Sequence, residues 1–62
     1  MMSQITAVYN LAFNAGVNWR SEAVSKENRK SAVAILNGNP RLADQLTQAW
    51  KDGFNAGFDS RS

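Results

Sequence analysis

The chain has 62 residues, with seven basic and five acidic side chains, a formal net charge of +2, and neither cysteine nor histidine. It therefore lacks the usual zinc and transition-metal ligands and the usual nucleophile–base pairs, so we expect no metal, no cofactor and no enzymatic activity. The lack of cysteine fits a reducing cytoplasm, and neither a signal sequence nor an apolar run long enough to span a membrane is visible.

The first predicted element is an amphipathic helix over about residues 3–19. Its apolar side chains recur every three or four residues and share one broad face that includes Ile5, Tyr9 and Phe13. Asn10 and Asn14 lie on the opposite side. This period is typical of a helix with one buried face.

The second predicted element is a helix over about residues 22–37. Its apolar face is thinner and consists of Val24, Ala32, Ile35 and Leu36. Asn37-Gly38 predicts the end of this helix, with the glycine in the left-handed conformation that commonly follows a helix.

The third predicted element is a helix over about residues 40–58. Asn39 is a favourable N-cap, and Pro40 occupies the first helical position, where its missing N–H costs nothing. Leu46, Trp50 and Phe54 then form an apolar stripe. No segment alternates with period two, so we predict an all-α fold, a single small helical domain over residues 1–62.

An internal repeat links the first and third helices. Residues 13–16 read Phe-Asn-Ala-Gly and recur as residues 54–57, and Arg20-Ser21 recurs as Arg61-Ser62. We expect these helices to pack as a pseudo-symmetric antiparallel pair. Small residues at helical spacing would let the backbones approach closely: Ala12, Gly16, Ala49, Gly53 and Gly57.

The aromatic side chains allow two interpretations. Aromatic residues at helical spacing usually belong to the core, and we interpret most of them in this way: Tyr9, Phe13, Trp50 and Phe54. Trp19 and Phe58 stand at helix ends, where a core thins, and are candidates for an exposed platform that binds a partner.

Basic residues concentrate in the middle of the chain. Lys26, Arg29, Lys30 and Arg41, with Arg20 alongside, are candidates for a patch that binds nucleic acid. The alternative is a solvated helix face that carries its own Glu27. With so few positive charges, RNA binding would be easily reversed by salt.

Two blocks resemble a known family. Residues 12–17, followed by Trp-Arg-Ser-Glu at 19–22, resemble the N-terminal signature of ribosome modulation factor and related small bacterial and phage proteins. Residues 49–57 with Arg61 resemble the Trp-x-x-Gly-aromatic helix of that family, and Asn39-Pro40 stands where the family often carries a proline entry. The resemblance implies two short helices packed together, and binding to ribosomal RNA that inactivates ribosomes.

The functional prediction is a non-catalytic regulatory or inhibitory protein that binds a host protein. Small phage and mobile-element proteins are often built in this way. The alternative is a ribosome- or RNA-binding modulator. Helices one and three carry more apolar surface than a thin second helix can cover, so we also expect a homodimer with two-fold contacts through their aromatic sides.

Overall fold

The computed structural model describes residues 3–61 and contains three α-helices. They are α1 (Gln4–Val17), α2 (Glu22–Gly38) and α3 (Ala43–Ser60), and a 3₁₀ turn (Pro40–Leu42) leads into α3. No strand is present in this part of the chain. The predicted all-α class is confirmed, and α1 and α3 form the most extensive helix pair. Ser62, the last residue of the repeat, lies outside the described residues.

Serine caps fix where the first two helices begin. The Ser3 side-chain oxygen accepts a hydrogen bond from the backbone N–H of Thr6 at 3.0 Å. The Ser21 side-chain oxygen accepts one from Val24 at 3.4 Å. Each bond satisfies a backbone donor that has no partner within its own helix, so α1 and α2 begin directly after these serines.

The junction between α2 and α3 differs from the prediction. Gly38 is the last residue of α2, and no described glycine has a positive φ angle, so the predicted left-handed Gly38 is wrong. Asn39 donates from its side-chain amide to the carbonyl oxygen of Ile35 at 2.8 Å and from its backbone N–H to that of Leu36 at 3.1 Å. These bonds satisfy two of the last four carbonyls of α2 without a left-handed residue. The Asn39 side chain therefore caps α2 and makes no capping bond to the following turn.

The first and third helices run in the same direction, which corrects the predicted antiparallel arrangement. A side chain at Gly53 would meet the carbonyl oxygen of Tyr9, and one at Gly57 would meet that of Phe13, one turn further along both helices. In an antiparallel pair, positions further along α3 would contact positions nearer the start of α1. The cause is α2, a complete helix between two short connections. The chain reverses twice, and α3 regains the direction of α1.

The repeat builds the α1–α3 seam symmetrically. A Cβ atom at Gly16 would meet the backbone of Phe54, and a Cβ atom at Gly57 would meet the backbone of Phe13. Since Phe13 and Gly16 correspond to Phe54 and Gly57 in the repeat, the two contacts are reciprocal. A pseudo-two-fold axis therefore runs along the pair. The other small residues predicted at this contact are also buried: Ala12, Ala49 and Gly53.

The apolar core lies where α2 packs on the α1–α3 pair. Val8, Ala32, Leu46 and Ala49 are its buried members. Partly buried side chains surround them: Leu11, Ile35, Leu36, Leu42 and Trp50. The helix α2 rests chiefly on α1, with the Ser25 hydroxyl donating to the carbonyl oxygen of Ala15 at 3.5 Å, and it contacts α3 much less.

The aromatic side chains are less buried than predicted. Trp50 and Phe54 are half-buried, but Tyr9 and Phe13 are exposed, so their interpretation as core residues is wrong. The cause is again the position of α2. It covers the Trp50 side of the seam, and within residues 3–61 no element covers the Tyr9 side.

Candidate partner-binding site

A groove runs between α2 and α3 because α2 leans toward α1. One part of it is a cavity of about 430 Å³ lined by Glu22, Ser25, Lys26, Arg29, Trp50 and Phe54. A second part, of about 230 Å³, lies toward the other end of α2 and is lined by Val8, Arg29, Ala32, Val33, Leu36, Leu46, Thr47 and Trp50. Arg29 and Trp50 line both parts, so the two cavities are neighbours along the groove.

The floor of the groove is apolar and partly aromatic. Leu46 and Val8 are fully buried beneath it. Trp50 and Phe54 lie stacked along α3, with ring centroids 6.5 Å apart and ring planes 28° from parallel. Val33 is 47% exposed on the α2 side. A groove of this composition suits an apolar helix face, which would remove the exposed apolar surface from water.

The charges of the groove lie toward its α2 edge. Lys26 and Arg29 are exposed and line the part nearer the start of α2, together with Glu22. Cations therefore outnumber anions among the lining residues. Their side chains can reach a bound partner while the apolar floor holds it, and they would favour acidic side chains in that partner.

A second cluster forms at the end of the α1–α3 pair and contains the other predicted aromatic candidates. The ring centroids of Trp19 and Phe58 are 5.6 Å apart with an interplanar angle of 52°, and both side chains are exposed. The Arg20 guanidinium lies 5.1 Å from the Trp19 ring centroid, and that of Arg61 lies 5.9 Å from it. Arg61 also donates to the carbonyl oxygen of Val17 at 2.9 Å.

The cluster brings together Trp19, Arg20 and Phe58 from the predicted candidates, and it adds Arg61, which the site prediction missed. The repeat contained the signal, because Arg61 is the counterpart of Arg20. In a parallel pair, the two counterparts lie at the same end. The assumed antiparallel direction would have placed them at opposite ends.

The predicted basic residues do not form a single patch. Lys26 and Arg29 lie at the groove, whereas Arg20 belongs to the end cluster. Arg41 lies in the 3₁₀ turn, beside a shallow depression formed with Gly38, Asn39, Pro40 and Leu42. Lys30 is exposed on α2 and lines neither part of the groove. These five basic residues are thus spread over the groove, the end cluster, the 3₁₀ turn and the exposed face of α2.

Within residues 3–61, no polar or charged side chain is buried, and no group of acidic side chains is placed to hold a metal ion. None of the helices in this range has the length and apolar character that crossing a bilayer requires.

Comparison with protein-family models, curated proteins and solved structures gave no match.

Proposed function

We propose that this protein is a non-catalytic regulatory module that binds an amphipathic helix of a partner protein in the groove between α2 and α3. The observation that supports this most strongly is the groove itself, with its apolar floor and its cationic edge. Helix-in-groove binding uses an apolar stripe of the partner and needs no chemistry from the host groove.

The dimensions of the groove set the size of the partner segment. Its lining on α2 extends from Glu22 to Leu36, which is about 21 Å at the rise of an α-helix. About four turns of a partner helix fit this length. Lys26 and Arg29 favour a helix whose polar edge is acidic.

Such binding would regulate by covering or holding the partner. A small helical chain that covers a functional helix of a host protein inhibits that protein. The degree of inhibition follows the fraction of the host protein that is bound. This is the regulatory role, of the phage or mobile-element kind, that the sequence suggests. We include a cytoplasmic location in the proposal because the chain has no cysteine.

The test is affinity capture from a nuclease-treated bacterial lysate with matched variants. Val33→Glu introduces a negative charge on the apolar part of the groove. Arg29→Glu reverses the charge of a cationic side chain at the groove edge. Phe58→Glu is the matched control, because it changes the end cluster at a comparably exposed position. We expect protein bands that survive nuclease, that disappear with both groove variants, and that remain with Phe58→Glu. Capture that is indifferent to the groove variants would contradict the proposal.

A second candidate function rests on the end cluster and on the resemblance to ribosome modulation factor. Two exposed aromatic rings beside two guanidinium groups can stack bases and contact phosphates. On this alternative, the chain is an RNA-binding modulator of ribosomes. Captured ribosomal proteins would then be lost on nuclease treatment and with Arg20→Glu, and binding would weaken steeply between about 50 and 200 mM salt.

A further inference from the structure

The pseudo-two-fold axis gives the seam two related sides, and α2 covers one of them. That side carries Leu46, Trp50 and Phe54 from α3, of which Leu46 is fully buried. The repeat assigns Ile5, Tyr9 and Phe13 of α1 to the equivalent positions on the other side. We call these three residues the α1 stripe.

The α1 stripe is an unpartnered apolar surface. Ile5, Tyr9 and Phe13 follow one another at one-turn intervals and are 36%, 36% and 37% exposed. Within residues 3–61, no element occupies the position equivalent to that of α2. Exposed apolar patches of this kind often mark a surface that a partner protein covers.

We infer that a second copy of this chain covers the α1 stripe, with the α1 helices of the two copies packed against each other across a two-fold axis. The charge of the helix favours this occupant. From Gln4 to Val17, α1 contains no charged side chain, whereas α2 and α3 both carry several. A two-fold interface places a face opposite the same face, so a charged side chain near the axis would meet its own copy. A helix without charge avoids that repulsion.

The size of the stripe indicates a weak dimer. Ile5 to Phe13 is a segment of nine residues, about 12 Å of helix, with Tyr9 at its centre. A standard interface buries roughly 800 Å² on each partner. The described chain has an accessible surface of 4444 Å², and a stripe of this length covers less than that standard area. The dimer should therefore form and dissociate with concentration. It is independent of the α2–α3 groove, which lies on the other side of the seam.

Sedimentation equilibrium of the full chain between about 5 and 200 µM tests the inference in the range where a small interface dissociates. We expect the weight-average mass to rise with concentration from 6.8 kDa toward twice that value. Tyr9→Glu and Tyr9→Lys should each stay at the monomer mass, because the two-fold axis places like charges opposite each other. An equimolar mixture of the two should regain the association. Val33→Glu is the matched control and should behave as wild type, since it changes only the groove.

A single 6.8 kDa species of wild-type protein over the whole range would overturn the inference and leave the α1 stripe to a different partner. Association of both charged variants at the wild-type level would also overturn it, because the contact would lie elsewhere. Tyr9→Cys keeps the position apolar if the charged variants fail to fold. The chain has no other cysteine, so mild oxidation should link two copies of Tyr9→Cys but not of Val33→Cys. Equal cross-linking of both variants would contradict the stripe.

Discussion

Single glycines decide how closely the first and third helices approach. A Cβ atom added at Gly57 would lie 3.0 Å from the Cα atom of Phe13 and closer still to its carbonyl oxygen. Backbone atoms in a helix cannot turn aside as a side chain can, so the helices would have to separate. At Gly38, by contrast, a Cβ atom would meet nothing within 4 Å, and φ is not positive.

Substitutions at Gly57 and Gly38 provide a matched pair, one inside the seam and one outside it. Gly57→Ala should lower the free energy of unfolding by about 1–3 kcal/mol, since overpacking of the seam exceeds the gain in helix propensity. Gly53→Leu should do the same, because Gly53 lies against Tyr9 and Ala12. Gly38→Ala should be neutral or stabilise by up to about 1 kcal/mol. Urea denaturation of the three variants measures these differences. A Gly57→Ala protein as stable as wild type would show that the seam is not closely packed.

At the scale of the helices, the apolar periodicity was readable from sequence, whereas the roles of Gly38 and Asn39 and the direction of the helices were not. Ser3 and Ser21 cap helices through bonds three residues away, so a few letters suffice to place the starts of α1 and α2. The repeated Phe-Asn-Ala-Gly predicted a close pair of helices. The antiparallel direction expected for that pair was wrong, because an apolar stripe with small residues packs either way. The direction follows from α2, which is a complete helix between the two.

The end of α2 provides a prediction at this scale. Asn39→Ala removes the side-chain bond to the carbonyl oxygen of Ile35 and should lower the free energy of unfolding by about 1 kcal/mol. Asn37→Ala is the control, since Asn37 is exposed in the same turn and should change stability by less than about 0.5 kcal/mol. Thermal denaturation followed by circular dichroism compares the two. Equal melting temperatures would mean that the Asn39 bond contributes nothing to stability.

At the scale of the whole molecule, the position of α2 determines which surfaces are available. Because α2 rests on α1, it covers Trp50 and Phe54 only in part and leaves the groove open between α2 and α3. The α1 stripe stays partly exposed on the other side of the seam. Sequence patterns identified Trp19, Arg20 and Phe58 as candidates, since aromatic and basic residues at helix ends stand out locally. The groove could not be predicted in the same way, because it depends on how far one helix leans from another. No local pattern encodes that distance.

The two tryptophans allow each candidate surface to be followed separately. Trp50 lines the groove and Trp19 belongs to the end cluster. Trp19→Phe therefore leaves Trp50 as the sole indole that reports on the groove, and Trp50→Phe leaves Trp19 to report on the end cluster. The most direct test is to titrate the purified partner protein into both variants while recording indole emission. If the partner contains tryptophan, its own emission is subtracted. The proposed function predicts a saturable change in the emission of Trp50 and little change in that of Trp19. A change confined to Trp19 would contradict binding in the groove and would favour the end cluster as the functional surface.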